Sequence, residues 1–413
     1  MAVVKPFKGI RPRRDLVSRI AALPYDVYNR EEAQAVVDKE PLSFLKIDRA
    51  ETQFDKSVGT YEVCVYEKAR KLLDAMIKEG SFVKDAQPCY YLYELKMDDR
   101  TQTGIVGGAA IDDYDANVIM KHENTRAEKE LDRINHVDYC DAQTGPIFLA
   151  YHDHQGLDAI IKAKKQESPI YDFVSDDGVG HRVWIIYDES TISKIQAAFA
   201  GIDSIYIADG HHRCASAVKV GKKRRDENPG FTGDESFNYF LSVLFQDSEL
   251  AIMDYNRVVK DLNGLSAAAF IEAVKMKFNV SKPNEQTVMP QAKGQFGMYL
   301  GDKWYSLDIK EEYQSDDPVK GLDVSILQDY LLAPILGIKD PKTDARIDFV
   351  GGIRGLQELE RRVHSDCKVA FAMYPTSIQE LFAVADAGAL MPPKSTWFEP
   401  KLRSGLFVNR LSD

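Results

Sequence analysis

Residues 205–217 read IYIADGHHRCASA, and this stretch decides how the chain is understood. Ile205 to Ala208 is a short apolar run of the length and composition of a buried strand. The run ends on Asp209, Gly210 makes the turn, and His211, His212 and Arg213 open a helix. The first N–H groups of a helix lack intrahelical partners and carry the positive end of its dipole, so such a start is an anion site. Gly210 has no Cβ and lets the backbone approach a phosphate, while Arg213 adds a fork of donors matched to phosphate oxygens. The same dipole disfavours imidazolium, so His211 or His212 stays neutral and able to relay a proton near neutral pH. Neighbours on a helix point about 100° apart, so one of the two histidines faces a ligand. A plain strand–helix corner, its histidines bonded to local carbonyls, is the competing reading. The polarity of the cluster favours a phosphate site.

Three other segments carry candidate chemistry. Lys121, His122, Glu123 and Asn124 precede Thr125 and Glu128, which have the T-x-x-E spacing of a capping box. The loop before that helix then offers a general base, a metal ligand and a charge clamp. Equally, Glu123 serves the helix dipole and Lys121 is solvated. Gly388 to Ser395 has the spacing of G-x-x-x-x-G-K-[ST], but Pro393 stands where the second glycine belongs, and proline has no N–H. A P-loop is thereby excluded. A rigid Pro-Pro turn remains, presenting Lys394, Ser395 and Thr396 with Lys401 and Arg403 nearby, either for anion contact or as a tail held down by Trp397 and Phe398. At the N-terminus, Lys5, Lys8, Arg11, Arg13 and Arg14 form a phosphate rim or solvated edge charges, and Tyr25-Asp26 after Pro24 can place a carboxylate in a cleft. His152 and His154 share a strand face without a third ligand, so no metal centre is expected. The run Lys219, Lys222, Lys223, Arg224, Arg225 reads as a solvated helix tail.

Composition bounds the rest. The chain has 413 residues, enough for two or three domains, with 44% hydrophobic and 28% charged residues, which suits a compact protein. Its net charge of −11 argues against a duplex binder held by a global basic face. Five scattered cysteines without a C-x-x-C make a disulfide framework or cysteine zinc site improbable. No apolar run approaches the ~20 residues of a membrane span, and MAVVKPFKGIRPRR at the start lacks an apolar h-region. A cytoplasmic protein with no membrane partner is expected. Short strands alternate with amphipathic helices, among them Arg30 to Lys39 capped by Asn29, and Thr60 to Glu79 ending at Gly80. The composition shifts near residue 260, which suggests a first region 1–260 and a second 261–413 whose tail, 388–405, folds back over the site.

Together KPFKGIRP, ALPYDVYNR, KHENT, ADGHHRCASA, NRVV and MPPKSTWFEPKL resemble the domain of unknown function 1015 family over essentially the whole chain. The D-G-H-H-R element also resembles the phosphate-binding motif of the ParB/sulfiredoxin superfamily, which includes sulfiredoxins, ParB-type CTPases and free-serine kinases. That resemblance implies an α+β fold with a mixed-sheet core and an additional C-terminal α/β portion. It implies that Asp209, Gly210, His211, His212 and Arg213 form the phosphate corner, with Gly210, His212 and Arg213 contacting the nucleotide, and the residue patterns above add Lys121, Lys394, Ser395 and Thr396 as further candidates. His211 stands where sulfiredoxin has its catalytic cysteine, which argues against sulfinic-acid repair. The expected function is a nucleotide-dependent phosphotransferase using Mg²⁺ and ATP or ADP on a small hydroxylated metabolite, with free L-serine the first guess. Asp209 or Glu123 would take the hydroxyl proton, with His211 and His122 also in catalytic reach. The alternatives are a nucleotide-binding regulatory protein with slow or no hydrolysis, and a ParB-like nucleic-acid-associated protein.

Overall fold

The computed structural model of the protein describes residues 1–412. It is a mixed α+β structure that divides into two units: Met1–Leu250 with the segment from Pro400 onward, and Ala251–Glu399. The composition shift near 260 thus lies inside the second unit, and the 388–405 segment is shared between the two.

The first unit is built on a nine-stranded mixed sheet. Ile147–Tyr151 lies at its heart, antiparallel to Ile205–Asp209 on one side and parallel to Tyr239–Gln246 on the other. Beyond them the order continues through the hairpin Arg100–Ala110 and Tyr90–Met97 to Gly180–Ile186 and Tyr171–Val174. The central strands carry buried residues on both faces, which their apolar runs anticipated. Leu149, Ile207, Phe240 and Leu244 pack into one core, while Phe44, Leu45, Leu73, Phe82 and Val408 form a second.

The helices follow local signals. Arg30–Lys39 starts at a complete capping box between Asn29 and Glu32. Val63–Lys78 ends with Gly80 at φ +77, the left-handed conformation that glycine adopts without strain. The Thr125–Glu128 capping box does not form. Helix Ala127–Cys140 begins after Arg126, and the Thr125 hydroxyl donates instead to Glu130. The lysines of the basic run are half exposed, as a solvated tail requires, and the run is ion-paired as well. Lys219 pairs with Glu130, Lys222 with Asp115, Lys223 and Arg224 with Asp138, and Arg225 with Asp112.

The second unit holds a six-stranded antiparallel sheet in which Val369–Met373 lies between Gln295–Leu300 and Tyr255–Val259. Its hairpin turns on Gly301 and Asp302, both at positive φ, as a two-residue loop between twisted strands requires. Among the described residues no helix is long and apolar enough to cross a membrane.

Candidate functional site

The strand Ile205–Asp209 ends in a register shift, Gly210 adopts φ +95, and helix His211–Glu227 begins at once. A left-handed glycine reverses the chain between strand and helix within a single residue. The helix enters the unit on small residues. Cys214, Ala215, Ser216 and Ala217 are buried, and the Ser216 hydroxyl donates to the Glu130 carbonyl of helix Ala127–Cys140.

His211 and His122 meet at this corner, their rings edge to face at 4.4 Å. Only 6% of His211 and 2% of His122 is exposed, and neither His211 Nε2 nor His122 Nδ1 has a hydrogen-bond partner within the protein. Burial pushes His122 down to about 4, although Asp209 pulls the other way. Burial, with His122 beside it, holds His211 well below the usual histidine range. Both rings are therefore neutral at pH 7. Asp209 is half exposed and accepts a 2.9 Å hydrogen bond from Lys401 Nζ. Burial would raise its carboxyl, but Lys401, Arg213 and His211 outweigh that and hold it at about 2.

His212 turns the other way. Its Nε2 accepts the Arg126 N–H at 2.9 Å and so satisfies an orphan donor at the start of the neighbouring helix. Arg213 lines one of two adjoining cavities. It donates to the Pro146 carbonyl at 3.3 Å, approaches Asp26 at 3.9 Å and lies 5.3 Å from the Tyr25 ring centroid. Arg133 covers the same ring at 3.8 Å. The smaller cavity includes Arg213, Gly145, Thr144 and Ile147 in its wall. The larger is lined by Asp26, Arg49, Glu51 and Asp132 among others. Tyr25, Asp48, Arg133 and His136 belong to both.

Each wall has a local cause. Arg49 donates to the carbonyls of Tyr25 and Tyr28 and so fixes the turn that presents Tyr25 and Asp26. The Thr144 hydroxyl is held by Asp48 at 2.8 Å. Gly145 is crowded by side-chain ends, since a Cβ there would lie 2.8 Å from Ser404 Oγ and 3.0 Å from Arg213 Nη1. The buried Ser404 hydroxyl also has no partner. Three orphaned polar groups therefore belong to this corner and its Gly145 wall, next to a half-buried guanidinium.

The remaining sequence candidates separate. Glu123 is exposed on the loop beside His122, and Lys121 lies 4.2 Å from the Tyr114 ring centroid. Lys394, Ser395 and Thr396 belong to the second unit. There the Ser395 hydroxyl donates to Pro392 at 2.7 Å, its carbonyl accepts from Thr376, and Lys394 lies 5.5 Å from the Tyr255 ring centroid, so these contacts shape a turn. Among the N-terminal basic residues, Lys5 pairs with Asp234, Arg11 with Asp85 and Arg13 with Asp15. His152 contacts Asp247 and His154 caps the helix from Gln155, and among the described residues no three His, Cys, Asp or Glu converge as a metal-holding group. Sequence reasoning missed Arg133, Asp48 and the Thr144–Gly145 turn. Only the Gly145-Pro146 dipeptide, a turn signal before a strand, pointed to the last of these.

Solved structures that match include SbnI with C-terminal truncation from Staphylococcus aureus, at 13% identity and TM-score 0.37 over 71% of this chain and 82% of that one. A free serine kinase in complex with AMP matches at 14% identity and TM-score 0.33, over 73% of this chain and 90% of that one. A conserved hypothetical protein from Pyrococcus furiosus matches at 16% identity and TM-score 0.34, over 73% and 93%. Comparison with curated proteins finds no match. The family model described as protein of unknown function (DUF1015) matches residues 4–325, and the chain belongs to that family.

Proposed function

We propose that this protein is a nucleotide-dependent phosphotransferase that moves a phosphoryl group to the hydroxyl of a small metabolite, with free L-serine as the first acceptor to test. One observation supports the reading above the others. The Gly210 corner gathers a helix start, a half-buried Arg213 and two buried neutral imidazoles with orphaned nitrogens in the unit that holds the two cavities. Buried polar groups ordinarily have partners, so these orphans are places where a ligand completes the hydrogen bonding.

Arg213 and the helix start would hold the nucleotide phosphates. Asp209 at the end of its strand, or Glu123, exposed beside His122, would take the hydroxyl proton. The acceptor oxygen bonds to phosphorus as the bond to the nucleotide's bridging oxygen breaks, and the electron pair leaves with the nucleotide. Positioning and charge neutralisation carry most of such a transfer. A Mg²⁺ ion bound with the nucleotide would neutralise phosphate charge. It needs only one or two protein carboxylates, and Asp26 beside Arg213 fits that need.

Phosphorus NMR of the protein with Mg²⁺, ADP or ATP and a pool of amino acids including L-serine tests this reading. A new phosphomonoester signal that depends on Arg213 and on Asp209 or Glu123 is expected. Unchanged nucleotide would sink the transfer reading, and full turnover by Arg213→Ala would remove the corner from it.

A further inference from the structure

The C-terminal segment enters the first unit as a strap woven through its core. Ala22 and Ser404 exchange backbone hydrogen bonds at 3.1 and 2.8 Å, and the Gly405 N–H donates to the Thr144 carbonyl at 2.9 Å. Gly405 has φ +74 and lies so close to Phe44 that a Cβ would overlap the ring. Val408 and Ile10 exchange hydrogen bonds as well. Arg403 is 3% exposed and donates to Ser175 at 2.9 Å and to Asp177. Its guanidinium is spent on that anchor. The strap is thus tied on both sides of the wall that contains Thr144 and Gly145.

Lys401 lies just ahead of those ties, its ammonium 2.9 Å from Asp209 at the end of the strand that leads into Gly210. It stands beyond residues 4–325 that the family model matches. We propose that Lys401 is a phosphate-contacting residue: the strap delivers a cation to the Gly210 corner, Asp209 parks it there, and the terminal phosphate of a bound nucleotide takes it over. The inference rests on the phosphotransferase reading and adds to it the cation that would face Arg213 across the phosphates. Two adjacent cations without a counter-ion would repel one another, and the Asp209 carboxylate removes that cost while the site holds no anion. A phosphate carries more charge and more acceptor oxygens than one carboxylate, so it competes for the same ammonium.

Binding of ADP and of adenosine to Lys401→Met, Lys401→Arg and Arg213→Ala, measured by calorimetry, tests the assignment. A charge-assisted contact predicts ADP binding weakened about tenfold to a hundredfold in Lys401→Met, with adenosine unchanged and Lys401→Arg partly restored. A merely structural strap would weaken adenosine as much as ADP, and that outcome would overturn the proposal. Acylation of Lys401 in the wild-type protein, followed by peptide mass, guards against a variant that fails to fold. ADP but not adenosine should protect the amine, and equal labelling with and without ADP would also overturn the proposal. If Arg213→Ala loses ADP while Lys401→Met keeps it, this inference fails and the phosphotransferase reading stands. If the wild-type protein binds neither ADP nor ATP, both fall together.

Discussion

Gly210 is the residue on which the site turns. Its φ of +95 lies where a side chain strains the backbone, yet a Cβ would meet nothing closer than Ile147 Cα at 3.8 Å. The cost of Gly210→Ala is therefore conformational and not steric. A loss of about 1–2 kcal/mol is expected in urea unfolding, with a smaller loss for Gly210→Asn, since asparagine tolerates the left-handed region. Equal stability of the alanine variant would show that the turn relaxes without glycine. This residue was legible because its neighbours spell out the corner within a few positions. Arg133, Asp48 and Gly145 were not, because each reaches the cavities from a different element and only the tertiary fold brings them to Tyr25.

Elements rather than residues set the protonation of the site. His122 comes from the loop before helix Ala127–Cys140 and His211 from the start of the next helix in the corner, and their packing buries both. Their folded pKa values lie below that of the unfolded chain, so the unfolded state takes up protons first as pH falls. Stability is full above about 6.5 and is lost between there and about 4, where His122 protonates in the fold. His136 and His181 are also buried and also lowered, and they add to the same slope. Urea midpoints from pH 7.5 to 4 should therefore fall, and His122→Asn should flatten part of the fall. A flat profile in the wild-type protein would mean that the rings are charged or wet. At this scale the sequence was a partial guide. Strand and helix positions followed from periodicity, but the Thr125 hydroxyl preferred Glu130, and the basic run found acidic partners on elements far away in sequence.

At the scale of the molecule, the first unit is closed by a segment from the far end of the chain. Proximity in sequence placed Lys401 and Arg403 with the Pro-Pro turn at Lys394, whereas the fold assigns the turn to one unit and the two cations to the other. No local pattern announces such a division. Arg403 is the clearest test of the strap as a structural tie. Arg403→Ala leaves Asp177, itself half exposed, and Ser175 without the guanidinium, and about 1–2 kcal/mol of destabilisation is expected from chemical unfolding. A change below about 0.5 kcal/mol, typical of an ordinary surface site, would mean that the strap is held by its backbone alone.

The central claim, that the Gly210 corner holds the phosphates of a nucleotide, is tested most directly by calorimetric titration of ADP and ATP into the wild-type protein and Arg213→Ala. Binding by the wild type, weakened at least tenfold in the variant, is the expected result. Wild-type affinity in Arg213→Ala, or no binding of either nucleotide to the wild-type protein, would contradict it.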